Sequence, residues 1–279
     1  MVTTKSRLKV LGDHLILLTG VVFLVGPVLL MLIAATQTSA SLTQDGLGMI
    51  LGSEAGENLS SVLALKAGFS DQITVLGMLK NSMIVAFSIA VLTTSLSLCA
   101  AYALVYFRLP LSIFFFWLTM ITLLLPLESR FITSFQVAAM LGLVNTLAGL
   151  VLPVLALALG TLFFRQLFLS FPEEYLEAAR LDGAGPFLFF RDFILPLSWR
   201  RGGAIFVVTF MIGWHQYLWP VILSTGENTY TIVRGIRLIG LESGPGMALA
   251  VLTLLPPLVV VVFFQRYFFQ SLVDAGTPS

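Results

Sequence analysis

An all-α integral membrane fold with six helical spans is predicted by three observations on this chain. Hydrophobic residues fill 58% of its 279 positions and charged residues 10%, against about 45–50% and about 25% in soluble domains. A chain this apolar cannot hide its side chains in one water-soluble core. Six apolar runs approach or exceed the roughly 20 residues that a helix needs to cross about 30 Å of hydrocarbon. The basic residues, finally, are divided unequally between the two sets of links, as orientation by the positive-inside rule requires.

The first run, residues 14–36, follows Lys5, Arg7 and Lys9. Its competing reading is a signal peptide, for which Thr38-Ser39-Ala40 supplies small residues near the end. The run is longer than the about 7–15 apolar residues of such a segment, so an uncleaved anchor is expected. Residues 37–79 form the long external segment, with one short helix expected over 58–67. Runs at 80–106, 111–127 and 136–164 follow, joined by short links. Residues 165–201 make a charged internal loop, 202–224 the fifth span, 225–245 an external link and 247–269 the sixth span. The expected division is therefore a cytoplasmic N-terminus (1–13), one transmembrane domain (14–270) and a cytoplasmic tail (271–279).

With the N-terminus inside, the cytoplasmic side carries Lys5, Arg7, Lys9, Arg108, Arg165, Arg180, Arg191, Arg200, Arg201 and Arg266. The outer side keeps Lys66, Lys80, Arg130, Arg234 and Arg237. Ten basic residues against five set the orientation. The lone Cys99 lies within the second span, where it reads as a small buried hydrophobe, and no disulfide framework or thiol metal site can be built from it.

The internal loop is the most informative stretch. Residues 170–201 read SFPEEYLEAARLDGAGPFLFFRDFILPLSWRR. Ser170 has the chemistry of a helix N-cap with Glu173 as capping-box partner, and Pro172 suits the first turn, so a helix is expected from Phe171 or Pro172. Glu173, Glu174 and Glu177 favour its positive end and Arg180 its negative end. Ala178 and Ala179, with methyl side chains only, would let another surface approach closely. Gly183, expected at positive φ, and Gly185 end the helix, and Pro186 opens a second short one through Arg191. Two short helices at about a right angle, parallel to the membrane on its cytoplasmic face, are the expectation.

Polar residues inside hydrocarbon are expensive and invite a functional reading. Glu128 and Arg130, near the outer end of the third span, either pair or line a translocation path. Gln136, Asn145, His215 and Gln216 are placed to line an interior cavity, and Trp214, Tyr217 and Trp219 to present ring faces to it. The plainer account is helix packing with satisfied hydrogen bonds and an aromatic belt at the interface. His215 has no metal partner in view: the other histidine, His14, lies at the opposite leaflet, and no Cys or carboxylate sits at ligand spacing. No phosphate loop of the form G-x-x-x-x-G-K-[ST] occurs, and no acid, base or metal constellation marks an enzyme. No catalytic residue and no bound cofactor are expected, and the energy for any transport must come from a partner. An ion-coupled secondary transporter acting alone would show carboxylates deep in the spans or interrupted repeats.

Glu177-Ala178-Ala179, Gly183 and Leu195-Pro196 fit E-A-A, three residues, G, nine residues, I-x-L-P, with Phe193 in the isoleucine place. This pattern resembles the EAA loop of bacterial ABC importer permeases. The resemblance implies the type I ABC importer permease fold, with the loop as a coupling helix that docks on an ATP-hydrolysing subunit. Glu174, Glu177, Ala178, Ala179, Asp182, Gly183 and Pro196 would be its docking residues. It further implies a second permease subunit forming a heterodimer, two ATP-binding subunits that use ATP and Mg, and a periplasmic or lipid-anchored substrate-binding protein. The place would be the bacterial inner membrane, in contact with lipid, with no nucleic acid partner.

Asn81-Ser82, Ala101-Tyr102-Ala103, Arg108 with Pro110, Leu125-Pro126, Phe164-Arg165-Gln166 and Gln265-Arg266-Tyr267-Phe268 are similar to the carbohydrate-uptake, maltose permease-like branch of that family. Residues 121–130 (ITLLLPLESR) and 213–220 (GWHQYLWP) resemble the permeases of glycerol-phosphate importers, apart from His215 where those carry Asn. The solute this implies is sn-glycerol-3-phosphate or a glycerophosphodiester, with another sugar or oligosaccharide as the alternative. Glu128, Arg130, Trp214, His215, Gln216 and Trp219 are the expected pathway residues.

Overall fold

The structure, a computed structural model, describes residues 4–64, 74–107, 109–240 and 242–276. Lys66 and Arg108 lie outside them, as do the side chains of Lys5, Arg7, Glu128 and Arg266. Every regular element described is helical. In chain order these are α1 (Thr4–Ala34), α2 (Ser39–Gln44), α3 (Ala55–Ala64), α4 (Val75–Tyr106), α5 (Ser112–Leu124), α6 (Phe131–Met140) and α7 (Leu147–Val151). There follow α8 (Ala158–Leu169), α9 (Glu173–Leu181), α10 (Pro186–Phe189), α11 (Leu195–Trp214), α12 (Leu218–Leu223), α13 (Ile232–Ile239) and α14 (Gly244–Gly276).

Among the described residues, three helices are long and apolar enough to cross a bilayer alone: Lys9–Ala34, Val75–Tyr106 and Gly244–Gln265. Leu147–Val154 and Ala158–Leu169, bent by 48° at their junction, are together long and apolar enough for a fourth crossing if the pair is one span. The remaining apolar runs are interrupted. The run at 111–127 yields α5, whose 13 residues span about 20 Å at 1.5 Å per residue, and it stops at Leu125-Pro126 before a 3₁₀ turn, Leu127–Arg130. The run at 136–164 is cut where Gly142 (φ +69°) and Asn145 (φ +58°) leave the right-handed region. It is cut again around Pro153, which has no N–H to continue the ladder. The fifth run is divided at residues 215–217 into α11 and α12.

The chain forms two compact units, residues 1–76 with 235–255 and residues 77–234 with 256–279. In the first, α1 exposes apolar side chains on every side, Phe23 and Leu24 among them, which suits a lipid surround and not water. The segment after it folds back onto its end. Thr38 Oγ1 accepts from the Ser41 amide (3.1 Å) and so caps α2. The buried Asn58 of α3 donates to the Ala35 and Gln37 carbonyls at 3.0 and 2.9 Å. These are carbonyls that the end of α1 leaves without helical donors. The short helix expected over 58–67 is observed as α3, three residues earlier at its start.

The second unit has two apolar clusters. One joins α4, α8, α9, α10 and the middle of α11 through Ala101, Tyr102, Phe164, Phe168, Ala179, Phe189 and Ile205. The other joins α4, α6, α7 and α12 through Ile89, Ala138, Leu150, Val151, Trp219 and Leu223. Close approach of α8 to α4 depends on Gly160, where a Cβ would stand 2.5 Å from Ser97 Oγ.

Two expectations about the internal loop are corrected. Ser170 does not open a helix: it closes α8, its hydroxyl donating to the Leu167 carbonyl at 2.7 Å and its amide to Gln166 and Leu167. α9 starts at Glu173 behind Pro172, with no side-chain cap. α8 simply runs one turn further than its apolar pattern suggests, so the hydroxyl is used at its C-terminus. Nor does the helix opened by Pro186 stop near Arg191. It passes through a π-helical turn, Phe190–Ile194, directly into α11. Pro196 gives the physical reason, since it offers no N–H to the Asp192 carbonyl and its ring crowds that oxygen; widening the preceding turn absorbs both.

Candidate functional site

The residues singled out in the sequence fall into two places, both in the second unit. The first is the α9–α10 element. Its C-terminus is a Schellman motif: the Ala184 amide donates to Ala179 O (2.8 Å) and the Gly183 amide to Arg180 O (3.0 Å). Gly183 takes the left-handed conformation this needs, at φ +75°. Around that frame the two alanines have opposite fates. Ala179 is buried in the aromatic cluster, whereas Ala178 is exposed together with Glu174, Glu177 and Asp182. Only one of the pair is therefore available to an approaching surface. Leu181 and Phe187 are 89% and 73% exposed, so the outer face of this element combines carboxylates with apolar knobs. Pro196 is also exposed, two residues beyond the π turn.

What supports this face from behind was missed in the sequence. Tyr102 Oη donates to the Pro186 carbonyl at 2.7 Å, fixing the start of α10 to the end of α4. Phe190 lies 4.9 Å from the Tyr102 ring and Phe189 5.3 Å from Tyr106. The Phe spacing at 189, 190 and 193 with Tyr102 and Tyr106 was the available signal, but nothing local says that two segments more than 80 residues apart share one aromatic bed. On the exposed side, hydrogen bonds of 2.6 and 2.9 Å from Arg191 hold the Asp192 carboxyl below the usual carboxylate range.

The second place is a cavity of about 440 Å³ between the 3₁₀ turn at 127–130, α6, the turn at 152–154 and the α11–α12 break. Arg130, His215, Gln216 and Trp219 line it, with Tyr217 and Ser134. Arg130 is half-buried there. His215 ends α11, its Nδ1 donating to the Met211 carbonyl at 2.8 Å. Gln216 stands out among them: its Oε1 and Nε2 are both buried and neither has a hydrogen-bond partner among the described residues. An orphaned buried polar group costs about 1–3 kcal/mol.

Other residues singled out in the sequence make packing and hydrogen-bond contacts or lie off the cavity. Trp219 is buried, and its Nε1 is committed to the Gly149 carbonyl at 3.2 Å while its ring packs on Phe131. Trp214 is buried against Phe210 and does not line the cavity. Asn145 is a corner post: its side chain donates to Thr225 Oγ1 (2.7 Å) and accepts from the Gly226 amide (2.6 Å). Gln136 is exposed on α6 away from the lining. The expected Glu128–Arg130 pair involves a side chain outside the described residues. Arg234, counted in the sequence only as an outer charge, secures α12 by donating to the Pro220 (3.1 Å) and Ser224 carbonyls and stacking 3.7 Å from the Tyr230 ring. Among the described residues no cluster of His, Cys, Asp and Glu could hold a metal ion.

Comparison with known proteins bears on both places. Residues 100–274 match the family model described as the binding-protein-dependent transport system inner membrane component. The sn-glycerol-3-phosphate transport system permease protein UgpE of Yersinia pestis is 42% identical over 269 residues, covering 94% of this chain and 95% of that protein. Its counterpart in Salmonella typhi is 40% identical over 270 residues with the same coverage. Among solved structures, a bacterial ABC transporter involved in the import of the acidic polysaccharide alginate superposes with a TM-score of 0.79 at 18% identity, over 95% of this chain and 98% of that one. At that identity the likeness is one of fold.

Proposed function

The chain belongs to the family of binding-protein-dependent transport system inner membrane components, and from that premise we propose that it is the permease subunit of an ABC importer for sn-glycerol-3-phosphate or glycerophosphodiesters. The observation that carries the solute is the 42% identity to a permease of that name along 94% of the chain. A cavity with a half-buried Arg130 supports it, because a phosphate leaving water needs charged and hydrogen-bonding partners.

In the proposed assembly this chain pairs with a second permease, two ATPase subunits and an external binding protein, and catalyses nothing itself. ATP and Mg are used by the partner ATPase. ATP binding closes the two ATPase subunits; the face built by Glu174, Glu177, Ala178, Asp182 and Leu181 moves with the groove that holds it. Tyr102 and the continuous run from α10 through the π turn into α11 transmit that displacement to the spans, which open outward to receive solute. Hydrolysis restores the inward-facing state.

Uptake by the assembled transporter in intact cells tests the solute. Excess unlabelled glycerol-3-phosphate and glycerophosphodiesters are expected to suppress the uptake of labelled glycerol-3-phosphate, and maltose-like sugars to leave it unchanged. Suppression by the sugars alone replaces the solute and keeps the permease. The proposed orientation places both termini and residues 165–201 in the cytoplasm and residues 37–79 outside, within a multi-pass inner-membrane protein. In a Cys99→Ser background, a cysteine at position 57 is expected to react with an impermeant maleimide in intact cells, and one at 174 only after permeabilisation. The reverse pattern inverts the orientation and removes the α9 face from any ATPase.

A further inference from the structure

We propose that the Gln216 side chain is the group that reads the hydroxyls of the solute in transit, and thereby orients the solute with its polyol end at the α11–α12 break and its phosphate toward Arg130. The inference rests on the importer reading above and goes beyond it by assigning which end of the solute meets which wall.

The α11–α12 break puts Gln216 where it can do this. His215 is the C-cap of α11, α12 begins at Leu218, and Pro220, four residues after Gln216, has no N–H to draw its carbonyl into a helix. The side chain therefore stands in an interruption of the span that opens on the 440 Å³ cavity. Its amide is buried there with donor and acceptor both unsatisfied among the described residues. Buried polar groups are paired in the great majority of cases, so this pair of atoms points to a missing partner.

The chemistry of that partner follows from the two atoms together. Nε2 donates and Oε1 only accepts. A phosphate oxygen satisfies Nε2 and leaves Oε1 facing negative charge. A hydroxyl both donates and accepts, so two neighbouring hydroxyls satisfy both ends of the amide at once. Arg130 on the same cavity has the opposite preference, with five donors and no acceptor, which suits phosphate. A solute carrying hydroxyls at one end and phosphate at the other satisfies both residues in a single orientation.

The test uses the complete transporter with its binding protein in proteoliposomes, comparing kcat/KM for glycerol-3-phosphate and for 3-hydroxypropyl phosphate, which lacks the middle hydroxyl. The same binding protein serves every variant, so its own selectivity cancels when variants are compared. Gln216→Met, of similar length and apolar, is expected to lower the preference for glycerol-3-phosphate about tenfold relative to wild type, equivalent to about 1.4 kcal/mol. Gln216→Glu keeps an acceptor and adds a charge that opposes phosphate; it is expected to retain the preference while uptake of both solutes falls. An unchanged preference in Gln216→Met overturns the proposal. So does reduced recovery of the second permease with that variant at unchanged preference, which would make Gln216 a subunit contact. Wild-type rates for both solutes in Gln216→Glu overturn it as well. Absence of glycerol-3-phosphate uptake by the wild-type complex refutes the solute and this inference together, whereas normal wild-type uptake with an unchanged preference refutes Gln216 alone.

Discussion

Gly183→Asp is expected to leave the protein inserted in the membrane while uptake falls at least about tenfold, a change equivalent to about 1.4 kcal/mol. The residue sits at φ +75°, where an L side chain is disfavoured by roughly 1–2 kcal/mol. Leaving that conformation breaks the two Schellman hydrogen bonds that terminate α9. The turn then no longer sets the angle at which Glu177 and Leu181 are presented. Because a Cβ at this position meets nothing within 4 Å, Gly183→Ala isolates the backbone effect from the charge and is expected to be milder. Glu177→Lys, exposed on the same face, should reproduce the loss by reversing a charge without altering the turn. Co-purification with the ATPase subunit and uptake in membrane vesicles check all three. Normal ATPase binding and normal uptake in both Gly183→Asp and Glu177→Lys would remove the docking role from this element.

Arg130→Ala carries the second large effect. Loss of a charge-assisted hydrogen bond to phosphate corresponds to about 1.5–3 kcal/mol, so glycerol-3-phosphate uptake should drop roughly 10- to 150-fold while basal ATPase activity of the complex is retained. Arg130→Lys keeps the charge but not the planar fork and should recover only part of the loss. A different pattern, lower protein abundance with uptake per transporter intact, would make Arg130 a structural residue of the turn at 127–130.

Local chemistry made parts of this molecule legible. The apolar runs announced a helical membrane protein because a continuous apolar run of about 20 residues satisfies its backbone polar groups in lipid as a helix, whereas barrel strands are about half as long and alternate. Glycine at 183 after a short charged helix announced a positive φ because only glycine takes that conformation without penalty. Ser170 misled for the same local reason: a hydroxyl can serve either helix terminus, and which one it serves depends on how far α8 runs. Periodicity also could not show where the run at 136–164 breaks, since Gly142, Asn145 and Pro153 interrupt it while it remains apolar on both sides.

The sequence by itself determined the all-helical membrane class, the α9 turn and the residues from which a polar cavity could be assembled, because composition and backbone preference act over a few neighbours. Tertiary structure alone decided how those residues are used. It turned Ala179 inward and Ala178 outward, made Asn145 and Arg234 braces, tied Tyr102 to Pro186 across 84 positions and left the buried Gln216 amide, on a residue of the cavity wall, without a partner among the described residues. The physical reason is that a hydrogen-bonding group's role is set by the partners that folding brings within about 3 Å, and those partners come from segments that the local sequence does not contain.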